Sequence, residues 1–273
     1  MPTDALHARA PAAWVAVRHW LYRRGYLSAS ELPLPDFLGI GAQKAGTTWL
    51  HRNLLAHPAV FMPADLKEVH FFDKHFLQYG LDGYSTLFGP GQGKLKGEVT
   101  PAYSILSPRR IRFVRAVIPR VKLIFLMRNP IERAWSHAVM ELSTEHSRPI
   151  PDIKDEEFIA HFYSRPNRAR GDYARVLANW QAVFPRRQIF MAVYDDLTLR
   201  PCQLLTEIFA FLGISTTVDF SQFPYDRKFN SGPEIPVRPA LRRVLEQIYE
   251  EPIVALARDL PIPAERWLSA QAE

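Results

Sequence analysis

The run "FLGIGAQKAGTTWLHRNLLAHP", residues 37–58, holds the side chains best suited to grip an anion. Gly41 and Gly46 stand at the G-x-x-x-x-G spacing of a nucleotide-binding P-loop, a motif that continues with Lys and then Ser or Thr. Here Thr47 and Thr48 follow the second glycine, and the run's only lysine, Lys44, lies inside the loop. A strand, a glycine-bearing turn and a helix start together aim backbone N–H groups at a phosphate-like group. Lys44 adds an ammonium, and the paired threonines add hydroxyl donors. A Walker-type NTPase sets its lysine directly after the second glycine, against the terminal phosphates, with a hydroxyl beside it on magnesium. Thr47 occupies that lysine's place, and no strand ends in an evident metal-binding Asp. The pattern predicts an anion held without a metal rather than triphosphate hydrolysis.

Such a loop needs a sheet to carry it. Strands are expected over 36–41, 95–99, 121–127 and 188–194, where β-branched and aromatic residues cluster. The near-continuous apolar run in the third marks a strand buried on both faces. Helical patterns fall between them, over 47–56, 107–117, 131–142, 172–184 and 201–212, and a further helical region follows at "RPALRRVLEQIYEEPIVALARDL". This alternation predicts an α/β fold, a P-loop-like central parallel sheet with helices on both faces. We read a single domain over 36–273, preceded by an N-terminal helical segment, 1–35.

The composition of the 273 residues agrees: 47% are hydrophobic and 23% charged, enough to bury a sizeable core. A net charge of +6 favours anionic ligands, but Lys and Arg are scattered, so no nucleic-acid partner is expected. Cys202 is the only cysteine, which excludes an internal disulfide or a cysteine-based zinc site and suits a reducing, cytoplasmic setting. It is expected to be a small packed residue at a helix start. The N-terminus lacks a signal-peptide layout, and "AAWVAVRHWLYRRGYL" carries too many charges to span a bilayer. That segment is expected to pack as a helix, with peripheral membrane contact through Trp14, Trp20 and the neighbouring arginines as the alternative.

"GAQKAGTTWL" resembles the 5′-phosphosulfate loop of sulfotransferases that use 3′-phosphoadenosine 5′-phosphosulfate (PAPS) as donor. "LIFLMRNPIERAWSH", residues 123–137, resembles the family's 3′-phosphate-binding strand and helix. The likeness continues through "KEVHFFD", "GEVTPAYS", "ARVLANWQAVFPRRQIFMAVYDDL" and the terminal "RWL". It is nearest to bacterial enzymes related to the heparan sulfate glucosaminyl sulfotransferases. The resemblance implies that Lys44, Ala45, Gly46, Thr47, Thr48 and Trp49 surround the phosphosulfate, and that Arg128 and Ser136 hold the 3′-phosphate. Arg133 is read as a solvated or ion-paired helix residue. In "DRKFNSGPEIP", residues 226–236, Lys228, Asn230 and Ser231 stand where the family closes a loop over the nucleotide.

By the same resemblance Glu68 of "KEVHFFD" is the base that takes the acceptor's proton, and Lys44 offsets charge as the S–O bond breaks. His70 is the runner-up base, although packing among Phe71 and Phe72 is the preferred reading for it; Asp73 is expected to bond within the turn. Lys67 would assist with the sulfuryl group or stand idle. Glu98 would orient Lys67, or an acceptor hydroxyl, or make a structural ion pair, while Tyr103 packs against the loop. Val99 stands where related enzymes often have Lys, which would remove a cation from the acceptor cleft. The implied activity is metal-independent sulfuryl transfer to a hydroxyl or amine of a carbohydrate, lipid or small metabolite. A kinase or NTPase with a degenerate loop, and a non-catalytic nucleotide-binding protein, are the alternatives.

Overall fold

The computed structural model describes residues 12–144, 148–229, 235–260 and 264–269. Strands β1 (Phe37–Gly41), β2 (Val60–Phe61), β3 (Leu95–Val99), β4 (Lys122–Met127) and β5 (Ile189–Val193) form one sheet in the order β2-β3-β1-β4-β5. Every pairing is parallel. Four strands fall within a residue of their expected bounds. The fifth, β2, is too short to show any alternation and exists because Val60 and Phe61 pair with Leu95 and Lys96.

The connecting helices are α1 (Ala12–Arg23), α2 (Thr47–Ala56), α3 (Phe76–Thr86), α4 (Pro108–Val117), α5 (Pro130–Val139) and α6 (Asp155–Tyr163). They continue as α7 (Arg165–Gly171), α8 (Tyr173–Gln181), α9 (Asp196–Leu199), α10 (Pro201–Leu212), α11 (Pro239–Asp259) and α12 (Ala264–Ser269). From β1 the chain moves one way to β2 and later the other way to β4 and β5. Right-handed crossovers in opposite directions put helices on both faces of the sheet. That leaves β1 covered everywhere, and all five of its residues are buried.

Local chemistry sets where the site-bearing helix starts. Asn129 Oδ1 accepts a hydrogen bond from the Ile131 N–H at 3.0 Å, capping α5 with Pro130 at its first position. The same side chain donates to the Trp267 carbonyl at 3.0 Å, pinning α12 to this cap. At its other end α5 does not run on as a regular helix to residue 142. It widens into a π-helical turn over Met140–Thr144.

Arg133 departs from expectation. It is fully buried, and its Nη2 donates to the Asn167 carbonyl (3.1 Å), Asn167 Oδ1 (2.6 Å) and the Tyr249 hydroxyl (3.2 Å). α7 and α11 cover this face of α5, and spacing along α5 alone does not reveal such a lid. The N-terminal helix is likewise built into the domain. His19 stacks against Phe76 and Phe113 at centroid distances of 5.3 and 4.5 Å, and Arg18 pairs with Asp82. Among the described residues no helix is long and apolar enough to cross a membrane.

β1 and β3 approach closely where Phe37 is the register partner of Gly97. A Cβ at Gly97 would stand 2.1 Å from Phe37 Cζ, inside a ring that is itself fully buried. Overpacking of this kind costs about 1–3 kcal/mol. Gly97→Ala should therefore lower the melting temperature by several degrees, and adding Phe37→Leu should restore part of the loss. A single variant as stable as the wild type would show that the two strands can part without penalty.

Candidate functional site

β1 is the point at which the strand order reverses, and open α/β sheets bind ligands outside the carboxyl ends of their strands at such a point. A cavity of about 1230 Å³ opens there. The loop after β1 and the first turn of α2 bring Lys44, Gly46, Thr47, Thr48 and Trp49 to it. Ala45 is fully buried beneath the loop. The cavity also takes in Lys67 and Glu68 from the segment before α3, Arg128 and Ser136 from β4 and α5, and Lys228. Asn230 and Ser231 lie outside the described residues.

The loop turns through two left-handed residues, Lys44 at φ 68° and Gly46 at φ 86°. Gly46 has a second reason to be glycine: a Cβ there would meet Leu197 Cδ2 at 2.3 Å. The turn projects the Lys44 ammonium across the cavity wall, where Nζ lies 3.9 Å from the Met140 sulfur. A thioether is a weak acceptor for an ammonium. Burial, followed by the charges of Arg128 and Lys67, holds the Lys44 pKa below the usual lysine range. A bound polyanion would offset the charge that Arg128 and Lys67 impose on Lys44.

Arg128 sits just past the end of β4. Its backbone is clamped by the Tyr173 hydroxyl, which donates to the Arg128 carbonyl at 2.8 Å and accepts from its N–H at 3.4 Å. The guanidinium lies 4.8 Å from the Tyr194 ring centroid and pairs with Glu132 at 3.1 Å. Its Nη1 also reaches toward the Lys44 carbonyl at 3.5 Å. Glu132, in the first turn of α5, is a competitor that an anion arriving at Arg128 would have to displace or share. Neither Glu132 nor Tyr194 was singled out from the sequence. Glu132 is four residues from Arg128, a spacing that could have found it; Tyr194 comes from β5 and had no local signal.

Two tryptophans fasten the chain that roofs the cavity. Trp49 Nε1 donates to the Tyr225 carbonyl at 2.7 Å, and Trp135 Nε1 to the Ile235 carbonyl at 2.8 Å. One indole stands on the helix after β1 and the other on the helix after β4, so both halves of the site hold the same C-terminal segment. Trp135, next to Ser136 in sequence, was passed over because its role depends on a partner a hundred residues away.

On the opposite wall Glu68 lies 3.8 Å from Lys67 Nζ and 3.2 Å from His70 Nε2. His70 is not packed between Phe71 and Phe72. Those rings are buried, while the imidazole bridges Glu68 and Asp73, with Nδ1 at 2.8 Å from Asp73. Asp73 does bond within the turn, as expected. Hydrogen bonding to Asp73 and then to Glu68 raises the His70 pKa to about 9. As an imidazolium it donates from both nitrogens and fixes the Glu68 carboxylate.

Glu98 also differs from expectation. It is buried and makes no ion pair with Lys67; it accepts from the hydroxyls of Tyr84 (2.5 Å), Thr100 (2.6 Å) and Tyr103 (3.0 Å). Burial pushes its carboxyl up to about 7, against the pull of those donors. Thr100 Oγ1 in turn accepts from the Val69 N–H at 3.1 Å, and the Tyr103 hydroxyl from the Phe72 N–H at 3.3 Å. The segment carrying Glu68 is thus hung from the end of β3 through one buried carboxylate. Val99 is buried against Gly39 rather than lining the cleft, so a valine there says nothing about cations near an acceptor.

Residues 34–231 match the family model described as a sulfotransferase domain. The chain is similar to a bifunctional heparan sulfate N-deacetylase/N-sulfotransferase of Caenorhabditis briggsae, 26% identical over 232 residues that make up 79% of this chain and 26% of the relative. A human protein of the same description, numbered 2, is 28% identical over 208 residues, 69% of this chain and 23% of that protein. The chain therefore spans about a quarter of the length of these curated relatives. A solved sulfotransferase from Alicyclobacillus acidocaldarius matches with a TM-score of 0.67 at 25% identity, over 85% of this chain and 98% of that one. A mouse sulfotransferase complexed with PAP shares the fold, with a TM-score of 0.51 at 15% identity over 82% of this chain and 87% of that one.

The His70 bridge has a pH signature. Its folded pKa, about 9, lies above the ordinary 6.5, so the stabilisation is complete below pH 6.5 and is lost as pH rises through 9. Over that interval the wild-type melting temperature should fall more steeply than that of His70→Gln. Parallel curves would show that the imidazole carries no extra proton in the folded state.

Proposed function

Because the chain belongs to the sulfotransferase family, we propose that its cavity binds PAPS and passes the sulfuryl group to a hydroxyl or amine of a carbohydrate, lipid or small-metabolite acceptor. The observation that carries this reading is the convergence of Lys44, Arg128 and Lys67 on the loop after β1, with the Lys44 ammonium destabilised by its neighbours. Such a cleft fits a donor bearing phosphate at one end and phosphosulfate at the other. The donor, when bound, supplies an activated sulfuryl group on a nucleotide leaving group.

In this reading the first turn of α2 and the hydroxyls of Thr47 and Thr48 receive the phosphosulfate, while Arg128 and Ser136 hold the 3′-phosphate. Lys44 stabilises negative charge on the bridging oxygen as that bond breaks. Trp49 keeps the roof in place, and Lys228 faces the donor from it. Glu68 receives the acceptor's proton. His70 and Asp73 hold the Glu68 carboxylate in position, a bridge that supports reading His70 as a positioning residue with Glu68 as the base. Family membership sets aside the phosphotransferase alternative.

The donor assignment is tested with adenosine 3′,5′-bisphosphate and AMP, which differ by the 3′-phosphate. A hydrogen bond to a charged group is worth about 1.5–3 kcal/mol, so Arg128→Ala should weaken bisphosphate binding about tenfold or more. AMP affinity should hardly change, because Tyr173 anchors the backbone of residue 128 whatever the side chain. Equal losses for both ligands would mean that Arg128 supports the fold instead.

Base and electrophilic stabiliser should separate kinetically. Glu68→Gln keeps the side chain's shape, removes its basicity and should slow transfer by about 10²–10⁴-fold with bisphosphate affinity unchanged. Lys44→Ala should lower both turnover and donor affinity. Normal turnover by Glu68→Gln would remove that carboxylate from the chemistry.

A further inference from the structure

Behind the donor cavity lies a cluster of side chains that sulfuryl transfer does not use. α5 carries His137 directly after Ser136, the π-helical turn that follows carries Glu141, and α6 contributes His161. His137 Nε2 is 3.1 Å from Glu141 Oε1, and His161 Nε2 is 2.7 Å from Glu141 Oε2. One ligating atom from each residue lies within 4.8 Å of the other two. His137 is only 1% exposed, yet neither of its ring nitrogens makes an aligned hydrogen bond, and the inner nitrogen of His161 has no partner either. A buried imidazole left without an aligned partner beside a carboxylate and a second imidazole is unusual, since buried polar atoms are nearly always satisfied.

We propose that His137, Glu141 and His161 form a binding site for a divalent transition-metal ion of the zinc class, with water in the fourth position. Zinc binds imidazole nitrogen and carboxylate oxygen at about 2.0–2.2 Å, which in a tetrahedral site separates neighbouring donors by about 3.4 Å. The two His–Glu141 spacings of 3.1 and 2.7 Å open slightly to reach that value, and the donor set, within 4.8 Å throughout, draws together around the ion. Two imidazoles with one carboxylate favour zinc, cobalt or nickel over magnesium or calcium, which prefer all-oxygen ligands. The Glu141 side chain is 37% exposed, which gives an ion and its water a route in.

The charges around the site set its strength. Arg133, Arg170 and Lys44 act on His137 and oppose a cation, and Glu141 is the carboxylate of the cluster that compensates it. The ion would join the widened end of α5 to α6. Met140 and Ser143 of that turn line the donor cavity, so the bridge would stiffen one wall of it without touching the reacting atoms.

The test uses the full chain, stripped with a chelator, desalted and titrated with zinc. Bound metal is counted by mass spectrometry, and affinity is read against a chromophoric chelator. The wild type should retain about one equivalent, and its melting temperature should rise with zinc but not with magnesium. Glu141→Gln, at a half-exposed position, and His161→Ala should each weaken zinc binding about tenfold or more. No stoichiometric zinc in the wild type, or equal binding by a folded Glu141→Gln, would overturn the site; the latter would move the ion to another cluster such as Glu68, His70 and Asp73. Adenosine bisphosphate binding measured in chelator keeps this result separate from the donor assignment.

Discussion

Three cations that repel one another have to be held at one cleft, and much of the architecture can be read as the means of holding them. Lys44, Arg128 and Lys67 come from three different segments, and after burial it is the charges of the other two that weigh on the Lys44 ammonium. The first is held by a left-handed turn closed over Leu197, the second by the clamp of Tyr173 on its own peptide groups. Both supports rest on buried strands. β1 has no exposed residue, and β4 is buried along its last five. Rigidity at the sheet therefore becomes electrostatic preorganisation at its carboxyl edge, where the groups that meet an anion need little rearrangement to receive it.

The wall that carries Glu68 is built on the opposite principle, from hydrogen bonds instead of repulsion. Glu98 gathers three hydroxyls in the core, and two of them continue to the backbone N–H groups of Val69 and Phe72. A carboxylate in that place costs desolvation, which its raised pKa records. The return is a fixed path for a segment that would otherwise be a loop of mixed polarity. His70 then sits between Asp73 and Glu68, so the outer carboxylate is located by an ionic bridge and the inner one locates the bridge itself.

What the residues announced in advance follows from whether a signal is local. The loop after β1 and the strand end at Arg128 are written in consecutive residues, and each appears where expected. Glu98 could not be placed in the same way. A charged residue in "LKGEV" reads as an ion-pair partner, and only the convergence of Tyr84, Thr100 and Tyr103 shows it to be a buried acceptor. Arg133 and Val99 were misjudged for the same reason, since burial by α7 and α11, or against Gly39, is a property of the assembled layers. The short β2 is similar, a strand defined by its neighbour rather than by its own pattern.

α5 shows how much one element can be asked to do. Its N-terminal cap fixes the start against α12, Glu132 and Ser136 line the cavity, Arg133 is locked under α7 and α11, and Trp135 holds the roof. A regular helix presents a fixed set of faces, with neighbours three and four residues apart. Meeting partners on nearly every side leaves little freedom at its end, and there the helix departs from regularity. The π-helical turn shifts the residues that follow relative to the preceding face, bringing Met140 and Ser143 to the cavity wall and Glu141 to the two imidazoles. Turns of this kind are often retained at functional positions. Here the geometry shows what the departure accomplishes: the same turn lines the cavity on one side and meets α6 on the other.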